Sequence, residues 1–278
     1  MSDVISAPDP SAAPVKTPEA LAEEARVIGL KPKLAPAHER YGNLPHQVFD
    51  LWPAEDEDAP AVVLLHGGYW RYNRLHMTPY AAYLGSQGFR VYLPEYARSG
   101  MSESFEALYD DLVLFLDTVF DSGDYLLAGH CSGGQLALWC GTRRFFPQRH
   151  RWHASAGPRG ILALAPITDL QNSIDTGLSD GAALAMLCGP DGMAEKLALV
   201  DPLTRLATYG ATGVRTVLLY GTKDAEVPPA QFVHYAETHV GLRTVVLEDV
   251  GHYVLVEPGS APCDVSRDLL RELFHDAR

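Results

Sequence analysis

Short runs of Val, Leu and Ile recur along this chain, and between them lie longer stretches whose apolar residues return every three or four positions. The short runs fall at 46–52, 61–66, 89–93, 125–128, 160–165, 215–220 and 243–247, each long enough for a strand and too short for a helix. The stretches at 77–87, 104–120, 133–144, 229–239 and 264–275 carry the helical period. Apolar runs this continuous suit strands buried on both faces. The alternation therefore predicts an α/β architecture, a mainly parallel sheet covered by helices on both sides. One more helix is expected over 17–28, where Thr17 caps, Pro18 takes the first position and acids fill the first turn.

The rhythm breaks once. Residues 167–213 are far more than a crossover between parallel strands needs. Within them 182–188 and 193–200 are patterned as helices, and Gly-Pro-Asp-Gly at 189–192 reads as a turn. This segment is expected to form a small helical lid over one end of the sheet, the alternative being surface decoration away from any site. Residues 1–18 are rich in Ser, Ala, Pro and Asp and contain neither a basic nor an apolar block. They predict a disordered tail, not a signal peptide or an anchor. Residues 19–278 suit a single domain with a substantial core.

Charge narrows the choice of partner. The chain has 35 acidic against 22 basic residues and a net charge of −13, which repels phosphate backbones and anionic membranes at long range. No nucleic acid and no membrane partner is expected; a small-molecule substrate is, with a homodimer left open. Cys131, Cys140, Cys188 and Cys263 form no CxxC pair and no metal-ligand spacing, and without an export signal they suggest a reducing cytoplasm. His150 and His153 have no acid or cysteine ligand nearby, and no Gly-rich phosphate loop is present. Neither a metal nor another cofactor is expected.

The chemistry centres on Gly129-His130-Cys131-Ser132-Gly133-Gly134-Gln135, which comes after a predicted strand and opens a predicted helix, the setting of a nucleophile elbow. So sharp a turn needs small residues two before and two after the nucleophile, because its strained backbone leaves no room for a β-carbon. Gly129 and Gly133 satisfy this when Cys131 is central; a frame centred on Ser132 puts His130 where the glycine belongs. A purely structural Gly-rich turn is the remaining alternative. Cys140, on the same helix, reads as a small buried hydrophobe.

A thiol nucleophile needs a base, and after such an elbow the partners come in the order acid, histidine. Asp224 lies just past the strand at 215–220 and His252 in the loop after 243–247, both at the sheet edge that carries Cys131. Asp224 would fix the imidazole of His252, and a thiolate–imidazolium pair would result. Glu226 and Asp249 are reserve acids, and a solvated Asp224 or a surface His252 is the bland alternative. For the oxyanion, His66-Gly67-Gly68-Tyr69-Trp70 comes after the strand at 61–66 and would aim the amides of Gly68 and Tyr69 into the site, joined by the amide of Ser132. It could also be a strand-end turn with aromatic packing. Tyr69, Trp70, Tyr72 and Tyr96 could wall a substrate pocket or belong to the core.

Taken together, His66-Gly67-Gly68-Tyr69-Trp70-Arg71, the elbow and the late Asp224 and His252 resemble the arylformamidase (kynurenine formamidase) branch of the α/β-hydrolases, and more distantly the hormone-sensitive-lipase-type esterases. The likeness runs from roughly Tyr41 onward. It implies the α/β-hydrolase fold and cofactor-independent hydrolysis of small esters or formamides through a covalent acyl-enzyme. That branch carries serine where Cys131 stands, and a cysteine elbow is more like that of dienelactone hydrolases. A thiolate attacks activated acyl groups well but is expelled readily from the tetrahedral adduct of an unactivated amide. The expectation is an acyl hydrolase with a Cys-His-Asp triad, acting on small esters, thioesters or formamides. An acyltransferase or cyclase using the same intermediate, and a non-catalytic ligand-binding homologue, are the other readings.

Overall fold

The structure, a computed structural model, describes residues 16–120, 123–239 and 242–275. Most of the expected tail, residues 1–15, lies outside them. Its last residues, by contrast, make defined contacts: Thr17 Oγ1 accepts from the Ala20 amide at 3.2 Å and starts α1 (Pro18–Ile28).

Next come β1 (Ala37–Arg40), β2 (Val48–Trp52), β3 (Ala61–Leu65), α2 (Thr78–Ser86), β4 (Arg90–Pro94), α3 (Glu106–Val119), β5 (Leu126–His130) and α4 (Ser132–Gly141). After β6 (Gly160–Leu164) stand four helices, α5 (Leu170–Asp175), α6 (Leu178–Met186), α7 (Met193–Val200) and α8 (Pro202–Tyr209). The chain continues with β7 (Arg215–Gly221), α9 (Ala230–Thr238), β8 (Arg243–Leu247) and α10 (Ala261–His275). The described strands form one sheet in the order β1-β2-β4-β3-β5-β6-β7-β8. It is parallel from β4 to β8, while β2 runs antiparallel to both β1 and β4.

Every residue of β5 and β6 is buried, which is why both read as unbroken apolar runs without alternation. Helix α4 is buried all round as well, and its glycines are what let it lie so close to the sheet. A β-carbon on Gly134 would come within 2.7 Å of Pro166 Cβ.

Sequence reasoning missed β1. Its residues Ala37-His38-Glu39-Arg40 are all exposed and carry no apolar signal. Backbone pairing with β2 creates this edge strand, and the cross-strand pair His38–Asp50 (Nδ1 to Oδ1, 2.6 Å) reinforces it.

The insertion between β6 and β7 contains α7 as expected, and α6 supplies the other anticipated helix after a left-handed turn over 179–181. Two helices were not anticipated, and both have legible caps. Asp169 accepts from the Asn172 amide at 2.8 Å, and Asp201, with Pro202 next to it, accepts from the Thr204 amide at 2.9 Å. The second oxygen of Asp201 takes the Leu170 amide at 2.8 Å, so one buried carboxylate ties α5 to α8. Burial pushes that carboxyl up to about 6. The insertion is fastened to α4 by Trp139 Nε1 donating to Leu199 O (3.0 Å) and Gln135 Nε2 to Val200 O (3.0 Å). It reaches the Tyr69-Trp70-Arg71 turn through Arg71, which donates to Asp180 O at 3.2 Å. Among the described residues no helix is long and apolar enough to cross a membrane.

Candidate active site

Strand β5 delivers Cys131 into a left-handed conformation, φ 57° and ψ −122°, before α4 begins. A non-glycine residue held there costs of order 1–3 kcal/mol, and the surroundings must impose it. They do. Cys131 N donates to Leu164 O of β6 (2.9 Å), and Cys131 O accepts from Gly134 N (2.9 Å). The glycines are sterically required: a β-carbon on Gly129 would lie 2.1 Å from Gly133 O, and one on Gly133 would lie 2.2 Å from Leu65 O. Ser132, by contrast, is the first helical residue, and its hydroxyl accepts the Trp70 amide at 3.3 Å. The strained position therefore belongs to Cys131.

The loops after β7 and β8 bring in the other two groups. His252 Nδ1 donates to Asp224 Oδ2 at 2.6 Å, and Asp224 Oδ1 accepts the amides of Glu226 and Val227, each at 2.8 Å. Both side chains are almost fully buried. This pairing fixes the proton on Nδ1 and leaves Nε2, which has no hydrogen-bond partner, turned to the Cys131 sulfur. Burial opposes the charged form of His252, but the Asp224 carboxylate and the Cys131 sulfur outweigh it and hold the imidazole well above its ordinary value.

The residue before Cys131, given no role from sequence, also contributes. His130 Nε2 donates to His252 O at 3.1 Å, with the two rings 4.4 Å apart. Burial, with the neighbouring His252 charge, pushes His130 well below its usual value, so it stays neutral and pins the His252 loop to the elbow. Its placement at the last residue of β5, beside the elbow, was the available signal.

Of the reserve acids, Asp249 is exposed and pairs with Lys223 at 2.9 Å. Glu226 is buried, accepts the Tyr69 hydroxyl and pairs with Lys16 (2.5 Å).

After β3 the backbone turns left-handed at Gly68 (φ 90°), Tyr69 (φ 57°) and Trp70 (φ 55°). Gly67 packs against the elbow: a β-carbon there would meet His130 O at 2.7 Å and Cys131 Cβ at 3.1 Å. Among the described residues the Gly68 and Tyr69 amides donate to no protein acceptor, and the Ser132 amide opens α4. These are the donors expected for an oxyanion.

The aromatic candidates divide. Trp70 is buried and donates Nε1 to Gln135 Oε1 (3.1 Å). Tyr96 is buried, stacks on His66 at 4.1 Å and donates to His66 O (2.5 Å). Both tie the turn after β3 to the core. Tyr69 has its hydroxyl among Glu226, Tyr253 and Lys16, at the site itself, while Tyr72 is exposed.

Helix α1 covers this edge of the sheet. Glu23 accepts the amides of Tyr253 (2.6 Å) and Val254 (3.1 Å), immediately after His252. Any side chain on Gly251 would collide with the Glu23 carboxylate. A cleft of about 220 Å³ remains, lined by Thr17, Glu23, Glu226, His252 and Tyr253 among others, and Cys131 is only 3% exposed. No cluster of side chains suited to a metal ion occurs among the described residues.

The sequence profile of the alpha/beta hydrolase family matches residues 62–265. No curated protein matches the sequence. Among solved structures, Esterase B from Lactobacillus rhamnosis superposes with a TM-score of 0.73 at 19% identity, covering 93% of this chain and 91% of that one. A putative thioesterase from a Silicibacter species gives 0.66 at 20% identity, covering 91% and 89%. An esterase/lipase from an uncultured bacterium gives 0.69 at 14%, covering 94% and 93%. Likeness at these identities is a likeness of fold.

Proposed function

Because this chain belongs to the alpha/beta hydrolase family, we propose that it is an acyl hydrolase that works through an acyl-cysteine on Cys131. The observation that carries this reading is the strained Cys131 facing the unpartnered Nε2 of a histidine whose other nitrogen is held by Asp224. The sulfur attacks the substrate carbonyl, and the oxyanion that forms is met by the amides of Gly68, Tyr69 and Ser132. His252 passes its proton to the leaving alkoxide, thiolate or amine. It then takes one from the water that attacks the thioester, and the sulfur is expelled. Because sulfur leaves a tetrahedral adduct more readily than an unactivated amine does, thioesters and activated esters suit this centre better than simple formamides.

The near-complete enclosure of Cys131 favours one variation, acyl transfer to an amine or alcohol from which water is kept out. Intact-mass measurement after mixing with a panel of acyl thioesters, aryl esters and formanilides tests both. The expected result is an added acyl mass on Cys131, absent in Cys131→Ala; no adduct and no burst with an activated aryl ester would mean a binding protein.

Thiol reactivity should reflect the same geometry. Cys140 and Cys263 are buried, and burial pushes both thiols up to about 12, so iodoacetamide should label them far more slowly than Cys131. Cys188 is exposed and needs replacement by serine before the comparison. Preferential labelling of Cys140 or Cys263 would sink the assignment.

Cys131→Ser is expected to lower acylation on a thioester at least about tenfold. The shorter C–O bond draws the nucleophile back from both the carbonyl and His252, and misplacements well under 1 Å already cost rate. Pre-steady-state bursts of the two proteins measure this. A serine variant equal to the parent would show that the site is tuned to oxygen.

A further inference from the structure

The proposed chemistry uses Asp224 and leaves Glu226, two residues on, as a buried carboxylate with no part in proton transfer. One Glu226 oxygen takes the Tyr69 hydroxyl, and the other faces Lys16 Nζ at 2.5 Å. The same ammonium reaches Glu24 at 2.8 Å and the Tyr69 hydroxyl at 3.4 Å, and lies 5.8 Å from the centre of the Tyr69 ring. Tyr253 closes the cage, its hydroxyl 3.4 Å from that of Tyr69 and donating to Glu24 at 3.1 Å. Two carboxylates and the Tyr69 phenol oxygen thus surround one ammonium group, with the Tyr253 hydroxyl holding Glu24 in place, a combination suited to a cation.

The cage adjoins the reacting atoms. Tyr69 carries one of the oxyanion amides, Glu226 stands two residues after Asp224, and Tyr253 directly after His252. Its occupant differs from its walls. Tyr69, Glu226 and Tyr253 are buried, whereas Lys16 precedes the cap of α1 and its side chain is 30% exposed. The docking of α1 through Glu23 does not involve Lys16. A buried carboxylate beside a centre where negative charge develops is costly unless a cation stays with it. An incoming ammonium would exchange one cation for another, whereas a neutral chain would leave Glu226 unpaired, so the exchange discriminates by charge.

We propose that Glu226, Glu24, Tyr69 and Tyr253 form an ammonium subsite of the substrate cleft, in which Lys16 stands in for the amine of a cationic acyl substrate. This rests on the acyl-hydrolase reading above and assigns Glu226 as a specificity-determining residue.

The test separates the two. In Lys16→Ala, n-butylammonium chloride should slow iodoacetamide alkylation of Cys131 by about tenfold when present at about ten times its Kd, as exclusion of the reagent from the occupied site requires. n-Butanol, of the same shape and no charge, should protect little. Adding Glu226→Gln to Lys16→Ala should abolish the protection by butylammonium, with circular dichroism reporting the fold. Should that double variant not fold, Glu24→Gln on the solvent side of the cage should weaken the protection in the same direction. Against a neutral aryl ester, butylammonium should raise KM of Lys16→Ala and leave kcat unchanged. No protection by butylammonium, equal protection by butanol, or binding that leaves KM untouched would overturn the subsite. Protection with no turnover of any ester would uphold the subsite and overturn the hydrolase reading instead.

Discussion

Asp224→Asn should lower the rate of acylation by about 10³- to 10⁴-fold with the fold intact, as in hydrolytic triads where the same change leaves the wrong histidine tautomer. The geometry gives the reason. Asp224 Oδ1 is committed to the amides of Glu226 and Val227, so an asparagine would keep its carbonyl oxygen there and turn its NH₂ toward His252 Nδ1. His252 would then accept at Nδ1 and carry its proton on Nε2, facing the sulfur, where a neutral ring cannot act as base. Loss of the carboxylate also removes a main support of the imidazolium, so burial takes over and lowers the His252 value. Stability should change with pH in a definite direction. His252 is raised in the folded protein, so its protonation stabilises fully below the unfolded value of about 6.5, and that contribution disappears as pH rises through the folded value. Melting temperatures of the parent should therefore fall more steeply on the alkaline side than those of the variant. Burst kinetics and melts between neutral and alkaline pH measure both effects. A variant within tenfold of the parent, or a larger loss in Asp249→Asn, would transfer the role to another acid.

Gly133→Ala should be comparably damaging for a different reason. The new β-carbon would lie 2.2 Å from Leu65 O and 2.5 Å from His66 O, backbone atoms at the end of β3 that also lead into the oxyanion turn. Neither can yield without moving Gly68 and Tyr69 relative to Cys131. We expect a loss of about 3 kcal/mol in stability, as for strained overpacking, and at least about 10²-fold in acylation, as for a misplacement near 1 Å. Gly141→Ala is the control on the same helix. Its β-carbon meets the tip of Ile161, Cδ1 at 2.8 Å, which can rotate away, and makes an ordinary contact with Thr212 Cγ2 at 3.8 Å. Urea unfolding and burst amplitudes of the two variants should differ sharply; equal behaviour would refute the steric account of the elbow.

Legibility in the sequence tracks the range over which each constraint acts. The elbow was legible because its demand falls on residues two positions apart, so Gly129 and Gly133 selected Cys131 over Ser132. Strands β5 and β6 were legible because burial on both faces leaves an apolar run. Strand β1 was not, since nothing in Ala37-His38-Glu39-Arg40 favours an edge strand except the backbone groups of β2 that it meets. The caps at Asp169 and Asp201 were local and visible, but α5, six residues long, is too short to show a helical period, and α8 follows α7 with Asp201 alone between them. Trp70 and Tyr96 could not be assigned to pocket or core because side-chain direction at a strand end depends on the tertiary contacts of Gln135 and His66. The cage around Lys16 joins residues 16, 24, 69, 226 and 253, and no rule of spacing connects positions so far apart.

The seal that Glu23 makes on the amides of Tyr253 and Val254 links residues 230 apart or more. During synthesis at about 5–20 residues per second, α1 leaves the ribosome roughly 10–50 s before its anchor exists. Cys131 emerges midway through that interval, without a base to its sulfur and without a cover. The proposed reactive centre is therefore among the last things each molecule acquires: a nascent chain stopped short of residue 252 carries the Cys131 thiol without the His252 imidazole, and the two meet only as the site is enclosed.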